Sequence, residues 1–220
     1  MTAPGLRIAS GDPTARVRLD VEPRIAAIDI GSNSIRQIVA DIGTNGTIRV
    51  VDEMKAAPRL GAGVQETGEL SQATMDQALE ALGRMATLAR QLGAKRIEAV
   101  ATSAVREARN GASFLARVRR ETGLKPRVLV GEEEARLAFR SALAHFELGR
   151  GRTVVVDIGG GSVELALAAE GLVERLISLP FGALRMTEQF LADGATPKRL
   201  KKLRKFVRDE IQAALDRKST

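Results

Sequence analysis

The sequence contains no cysteine, tryptophan or tyrosine, and His145 is its single histidine among 220 residues. Without cysteine the chain has neither a disulfide framework nor a cysteine-based zinc site, which is typical of cytoplasmic proteins. One histidine cannot form a histidine metal cluster. Aromatic residues make up only 3% of the chain. An aromatic platform for stacking bases is therefore not expected, and no specific nucleic acid is predicted as a partner.

Long uncharged apolar runs are also missing, so the sequence predicts no membrane span and no membrane partner. Residues 1–23 lack the apolar core of a secretory signal and are rich in proline and glycine, which predicts a flexible leader. Apolar residues account for 44% of the chain, enough for a sizeable core. We expect a folded, cytoplasmic protein.

Positive charge is concentrated at the C-terminal end, although the net charge of the whole chain is only +7. Residues 197–220 hold three acids and these basic residues: Lys198, Arg199, Lys201, Lys202, Arg204, Lys205, Arg208, Arg217 and Lys218. Such a stripe attracts polyanions, and the alternative is a solvated helix face. Leucine, valine and isoleucine recur at helical spacing from Leu200 to Leu215, so one side of this helix should be buried. Homodimer formation through its exposed stripe is a further hypothesis.

One short motif occurs twice, each time behind a β-branched apolar run that predicts a buried strand. The first copy, Asp29-Ile30-Gly31-Ser32-Asn33-Ser34, follows residues 25–28, and the second, Asp157-Ile158-Gly159-Gly160-Gly161-Ser162, follows residues 153–156. Glycine permits positive φ and close approach of an anion to backbone amides, while serine adds hydroxyl donors. The aspartates would repel phosphate unless a hard cation lay between them, which predicts Mg²⁺. The alternative is a pair of plain hairpin turns.

The order of predicted elements indicates an α/β fold of the ribonuclease-H-like type. Residues 24–147 read as three strands, helix, strand, helix, strand and helix, with the third strand running through Val51 and Asn45-Gly46 in the hairpin before it. Residues 148–220 restart the pattern with three strands and two helices, the last of them basic. We therefore expect one complete domain, followed by a truncated second copy of it.

Four segments together resemble the exopolyphosphatase and guanosine pentaphosphate phosphohydrolase family, within the superfamily of acetate and sugar kinases, heat-shock ATPases and actin. They are residues 27–34, 101–110 (Ala-Thr-Ser-Ala-Val-Arg-Glu-Ala-Arg-Asn), 131–136 (Gly-Glu-Glu-Glu-Ala-Arg) and 156–164. The resemblance implies an actin-like ATPase fold and a two-domain clamp that cleaves a terminal phosphoanhydride with water and Mg²⁺. It implies inorganic polyphosphate or guanosine pentaphosphate, a signal of the stringent response, as the substrate.

The resemblance also implies roles for individual residues. Glu134 matches the principal catalytic carboxylate, Glu164 the second one, and Asp157 the acid associated with the metal, with Asp29 its counterpart in the first motif. The implied phosphate-binding residues are Gly31, Ser32, Asn33, Ser34, Arg106, Gly159, Gly160, Gly161 and Ser162. Carboxylates from opposite walls of a cleft, one on each domain, could hold and deprotonate the attacking water.

Each of these residues also has a structural explanation. Acids such as Glu134 are favoured in a first helical turn whatever the function. Glu164 could face solvent, and Arg106 and Asn110 could belong to a helix-capping turn. Arg36 and Arg59 are weaker candidates for phosphate contacts than for surface charges.

Two departures from the family pattern leave the function open. A later glycine-rich segment that completes the second domain is absent from this sequence, and so is an accessory C-terminal domain. The alternative to hydrolysis is therefore a non-catalytic module that binds polyphosphate or a guanosine alarmone. A superfamily kinase or ATPase is a third reading, disfavoured because the missing portion is where adenosine usually binds.

Overall fold

Two β-sheets follow one another along the chain in the computed structural model, which describes residues 21–44, 46–148 and 150–216. The strands are β1 Val21–Ile30, β2 Ile35–Gly43, β3 Ile48–Ala56, β4 Arg96–Ala101, β5 Arg127–Val128, β6 Arg152–Ile158, β7 Val163–Ala169 and β8 Leu172–Leu179. The helices are α1 Val64–Thr67, α2 Gln72–Gln91, α3 Ser103–Glu107, α4 Gly111–Thr122, α5 Gly131–His145, α6 Ala183–Leu191 and α7 Pro197–Asp216. Most of the predicted leader, Asn45, Arg217 and Lys218 lie outside the described residues.

The first sheet has the strand order β3-β2-β1-β4-β5. Strands β1 to β3 pair antiparallel, whereas β4 lies parallel to β1 and β5 parallel to β4. Apolar side chains of β1 and of helices α2 and α4, among them Ile28, Leu82 and Phe114, form the main core. We call this sheet with α1 to α4 the first unit. The predicted element order of this part is confirmed, with two short helices, α1 and α3, added to it.

The second sheet contains β6, β7 and β8 in that order, all antiparallel. Alternate residues of β7 face opposite sides, as the period of a strand requires. Val163 and Leu165 pack with residues of α6 and α7, while Ala166 and Ala168 pack against Phe139 of α5. We call this sheet with α5 to α7 the second unit.

Helix α5 packs on the second sheet, although it precedes the boundary predicted at residues 147 and 148. Its buried residues are Ala135 and Phe139, and Phe139 contacts Ala166 and Ala168 of β7. A helix packs its apolar face against the element that can bury it, whatever the position of the helix in the sequence. Glu134 therefore belongs by packing to the second unit, and the expectation that it stands on the first is wrong.

The apolar side of α7 is buried as predicted. Leu203, Val207 and Ile211 pack with β7, β8 and α6, and Phe206 makes ring contacts with Phe181 and Phe190. Lys198, Lys201 and other cations of the helix stay exposed on its outer side. A homodimer through that side stays a prediction. Over the part of the chain that the structure describes, no helix combines the length and the apolar character that crossing a bilayer requires.

Candidate active site

Both repeated motifs form tight turns of the same geometry. The amide of Gly31 donates to the carbonyl of Ser34 at 3.1 Å, and the amide of Gly159 donates to the carbonyl of Ser162 at 3.0 Å. Each turn joins two antiparallel strands, β1 to β2 and β6 to β7. The hairpin interpretation is therefore right for both copies, and the same turns line one cavity, described below. We call residues 31–34 the first loop and residues 159–162 the second loop.

The two loops lie against each other, and this contact explains Gly160 and Gly161. A Cβ atom at Gly161 would lie 2.5 Å from the hydroxyl oxygen of Ser32 and closer still to that of Ser103. One at Gly160 would lie 2.9 Å from the Cβ of Asn33. None of the four loop glycines has a positive φ. Close packing against the neighbouring segments, and not left-handed backbone, is thus what requires glycine at positions 160 and 161; a Cβ at Gly31 or Gly159 would instead meet a carbonyl oxygen of its own turn.

Neighbouring segments hold each loop in place. The carbonyls of Ser32 and Asn33 accept hydrogen bonds from the amides of Gly61 and Arg59, at 2.8 and 3.2 Å. The carbonyls of the second loop accept from the first turn of α6: Ala183 donates to Gly159 and Leu184 to Gly160, both at 2.9 Å. Because these carbonyls accept hydrogen bonds from other segments, the loops are held fixed relative to the sheets.

A cavity of about 600 Å³ lies over the two loops. It is lined by every predicted site residue except Arg106: Asp29, Gly31, Ser32, Asn33, Ser34, Glu134, Asp157, Gly159, Gly160, Gly161, Ser162 and Glu164. Residues more than a hundred positions apart in the sequence thus converge on one site. The cavity also has a basic wall, formed by Arg36, Lys55 and Arg59.

Glu134 has an unusual environment in the first turn of α5. Its side chain is 18% exposed, and Arg106 Nη1 donates to its Oε2 atom at 3.1 Å. Burial and the nearby charge of Glu164 raise the pKa of Glu134 to about 7, against the opposing effect of Arg106. A carboxyl group of this kind is half ionised near neutral pH, which suits a general base.

Glu164 is buried, with only 2% of its surface exposed, so the interpretation that it faces solvent is wrong. Ser178 donates its hydroxyl to Glu164 Oε1 at 2.8 Å, and the hydroxyl of Ser162 lies near this carboxylate. Burial raises the pKa of Glu164, while the two serine hydroxyls oppose the rise. Glu134 and Glu164 both stand on the second unit and line the same cavity.

Two aspartates end the strands before the loops and line the same cavity. Burial raises the pKa of Asp29; nearby Arg36 opposes the rise and the charge of Asp157 adds to it. A cation between the two carboxylates would relieve this cost. In residues 21–44, 46–148 and 150–216, no three acidic, histidine or cysteine side chains form a ready-made ligand set. Mg²⁺ commonly takes one or two carboxylates and completes its shell with water and phosphate oxygens, so this pair fits it.

Arg106 lies behind Glu134 and outside the cavity lining. Its Nη1 atom also donates to the carbonyl of Leu129 at 2.9 Å, which fixes the guanidinium. Asn110 exchanges two hydrogen bonds with the backbone of Leu70, each 2.9 Å long, as expected for a structural turn. In this geometry Arg106 contacts a carboxylate of the site, and its predicted phosphate contact stays a prediction.

Sequence reasoning missed several residues of the site. Ser178 lies opposite Glu164 in the β7–β8 register, which only the strand pairing reveals. Lys55 lies opposite Arg36 in the β2–β3 register, on a part of β3 beyond the predicted end at Val51. Thr102 lines the cavity next to Ser103. The position of Thr102 in the segment 101–110 could have indicated that it belongs to the site.

Comparison with known proteins identifies relatives of this architecture. Residues 38–219 match the model of the Ppx/GppA phosphatase family. The chain is 35% identical over 192 residues to Exopolyphosphatase 1 of Mycobacterium leprae (strain TN), covering 87% of this chain and 57% of that protein. It is 34% identical over 175 residues to the guanosine-5'-triphosphate,3'-diphosphate pyrophosphatase of Aliivibrio fischeri (strain MJ11), covering 80% of this chain and 35% of that protein.

Comparison with solved structures identifies relatives in the same family. The crystal structure of the Aquifex aeolicus member of the Ppx/GppA family superposes with a TM-score of 0.69 at 35% identity, covering 86% of this chain and 61% of that one. An exopolyphosphatase from Cytophaga hutchinsonii superposes with a TM-score of 0.80 at 26% identity, covering 86% and 60%. The chain therefore spans less than two thirds of each of these four proteins. The match over most of its own length, together with the fold, shows that the chain belongs to the Ppx/GppA phosphatase family.

Proposed function

We propose that this protein hydrolyses the terminal phosphoanhydride bond of inorganic polyphosphate or guanosine pentaphosphate. The observation that carries the proposal is the meeting of Glu134, whose pKa is raised to about 7, with the two loops in one cavity. The names of the two relatives, an exopolyphosphatase and a guanosine pentaphosphate pyrophosphatase, indicate the same class of substrate.

The loops would bind the phosphates mainly through their backbone. The hydroxyl oxygen of Ser32 accepts from the amide of Ala104 at 3.1 Å, and the hydroxyl of Ser162 lies near Glu164. Ser32 therefore ties the first loop to helix α3. The backbone N–H groups of Asn33 and Gly160 donate to no backbone oxygen among the described residues, so they can bind an anion.

Glu134 would accept the proton of the attacking water. A base works best when its pKa lies near the working pH, because it must be ionised and still bind a proton well. The pKa of Glu164 is also raised, first of all by its burial. Glu164, held by Ser178, would keep the water in line with the terminal phosphorus.

We further propose Mg²⁺ as the cofactor, held by Asp29 and Asp157. When bound, it would supply positive charge to the phosphate oxygens as the bond breaks. The two aspartates would orient it at the ends of β1 and β6, beside both loops. Arg36, Lys55 and Arg59 on the cavity wall would attract the rest of the anion.

The test is phosphate release from long-chain polyphosphate and from guanosine pentaphosphate, with Mg²⁺ and with EDTA. We expect release with Mg²⁺ and none with EDTA. Glu134→Gln should lower the rate at least about 100-fold, the usual worth of a general base. Its matched control is Glu133→Gln, because Glu133 is the neighbouring carboxylate and pairs with Arg127 at 2.7 Å away from the cavity.

Two results would contradict the proposal. One is a Glu134→Gln variant that releases phosphate as fast as the Glu133→Gln control. The other is a wild-type protein that binds polyphosphate, for example in a filter assay, and releases no phosphate under any condition. That second result would identify a binding module instead of an enzyme.

A further inference from the structure

Two ion pairs cross between the units next to Glu134. In the first, Arg106 of α3 donates to Glu134 of α5 at 3.1 Å. In the second, Arg185 of α6 donates to Glu107 of α3. Each pair joins α3 of the first unit to a helix of the second unit. Helix α3 supplies the arginine of the first pair and the glutamate of the second.

The two pairs form one continuous row of alternating charges. Arg106 Nη2 lies 4.0 Å from Glu107 Oε1, so Glu107 stands between two guanidinium groups and Arg106 between two carboxylates. Arg185 is buried, with 9% of its surface exposed, and its Nη1 atom also donates to the carbonyl of Pro180 at 3.2 Å. Arg185 is thus fixed in place, whereas the side chain of Glu107 is 32% exposed and is held by its pairing with Arg185.

We propose that Arg185 is a positioning residue, which binds Glu107 so that Arg106 remains on Glu134; this rests on the function proposed above. Without Arg185, the carboxylate of Glu107 is unpaired and adjacent to Arg106. It then competes with Glu134 for the same guanidinium. Because the interaction joins the two units, Arg185 also ties the charge state of Glu134 to the contact between them.

The sign of the effect follows from the groups that surround Glu134. Arg106 of α3 lowers the pKa of Glu134, while Glu164 of β7 and Asp29 of β1 raise it. Its helix neighbours Glu132 and Glu133 are also acidic. Arg106 is therefore the favourable charge that loss of Arg185 would weaken, and the pKa of Glu134 must rise.

The experiment is a double-mutant cycle read by the pH dependence of kcat. Arg185→Met should move the acid limb upward by about one pH unit, the effect of weakening one charge-assisted hydrogen bond. At pH 7 the ionised fraction of Glu134 then falls about fivefold, and so does the rate. Arg185→Met combined with Glu107→Gln should return the limb to the wild-type position, because the competing carboxylate is gone. A merely structural bridge would give no such rescue.

A readout independent of activity separates this inference from the proposed function. The carboxyl carbon of Glu134, followed by NMR titration, should show the same upward shift and the same rescue. If the wild-type protein releases no phosphate, the proposed function fails, while this titration still tests the role of Arg185. Arg117→Met is the matched control, since Arg117 pairs with Asp76 at 2.9 Å on the first unit, away from the cavity.

Three outcomes would overturn the inference. The first is an unchanged titration of Glu134 in Arg185→Met. The second is a double variant that stays shifted. The third is an acid limb that moves up in Glu107→Gln alone. With the competing carboxylate gone, that limb should stay in place or move down.

Discussion

Replacing Gly161 by alanine tests the contact between the two loops with a single methyl group. The new Cβ would lie 2.5 Å from the hydroxyl oxygen of Ser32, about 1 Å inside ordinary contact distance. The φ of Gly161 is not positive, so alanine adds no backbone strain of the left-handed kind. The whole effect must come from the collision with Ser32 and Ser103 in a buried place.

The expected cost is about 1 to 3 kcal/mol in the free energy of unfolding, as for other overpacked sites. Because the loops must also part by about 1 Å, phosphate release should fall by about 100-fold. Urea denaturation and phosphate release measure the two effects. Gly83→Ala is the matched control: a Cβ there meets no atom within 4 Å, so helix α2 should gain about 0.5 to 1 kcal/mol.

A second substitution sharpens the test. The hydroxyl of Ser103 is buried and has no hydrogen-bond partner within the described part of the structure. Ser103→Ala should therefore cost little by itself, and it should recover part of the stability lost in Gly161→Ala. A Gly161→Ala protein with the wild-type urea midpoint and the wild-type rate would refute the packing of one loop on the other.

Three further changes have expected outcomes of definite sign. Glu134→Gln should raise the free energy of unfolding at pH 8 by at most about 3 kcal/mol and leave it unchanged at pH 4. The reason is that the pKa of Glu134 is raised from 4.5 to about 7, so its ionisation destabilises the folded state at pH 8. Equal denaturation midpoints at pH 8 would contradict this. Ser178→Ala should raise the pKa of Glu164 further, seen by NMR titration, since a donor to its carboxylate is lost; an unchanged titration would show that the hydroxyl does not matter. Asp41 of β2 pairs with Arg24 at 2.7 Å and with Arg49 at 2.6 Å, and these arginines lower its pKa to about 2. Asp41→Asn should therefore lower the thermal midpoint at pH 7 and leave it unchanged near pH 2, because the stabilisation by Asp41 is lost as the pH falls from about 4 to about 2. Equal midpoints at pH 7 would count against that ion pair.

Much of the fold could be predicted because the elements have strong local signals. The apolar runs before both motifs form strands β1 and β6, and the helical spacing in α7 buries the expected side. Strand β3 was predicted too short for a physical reason. It lies at the edge of the first sheet and is largely exposed, so its sequence lacks the apolar alternation of a half-buried strand.

The parts of the candidate site that are formed by contiguous residues could be predicted from the sequence. The repeat indicated both loops and both aspartates, and the segments around Arg106 and Glu134 added the catalytic candidates, all of which come together or adjoin in space. Ser178 and Lys55 were missed because each belongs to the site only through a cross-strand neighbour.

The sequence by itself determined the strands, the paired glycine and serine turns, and the acids placed beside them, since these depend on neighbouring residues alone. The tertiary structure decided which unit carries Glu134, why Gly160 and Gly161 must be glycine, and which guanidinium meets which carboxylate. The reason is physical: the pKa of a carboxyl group and the fit of two loops depend on burial and on distances of a few ångströms. Those distances exist only once residues far apart in the chain have packed together.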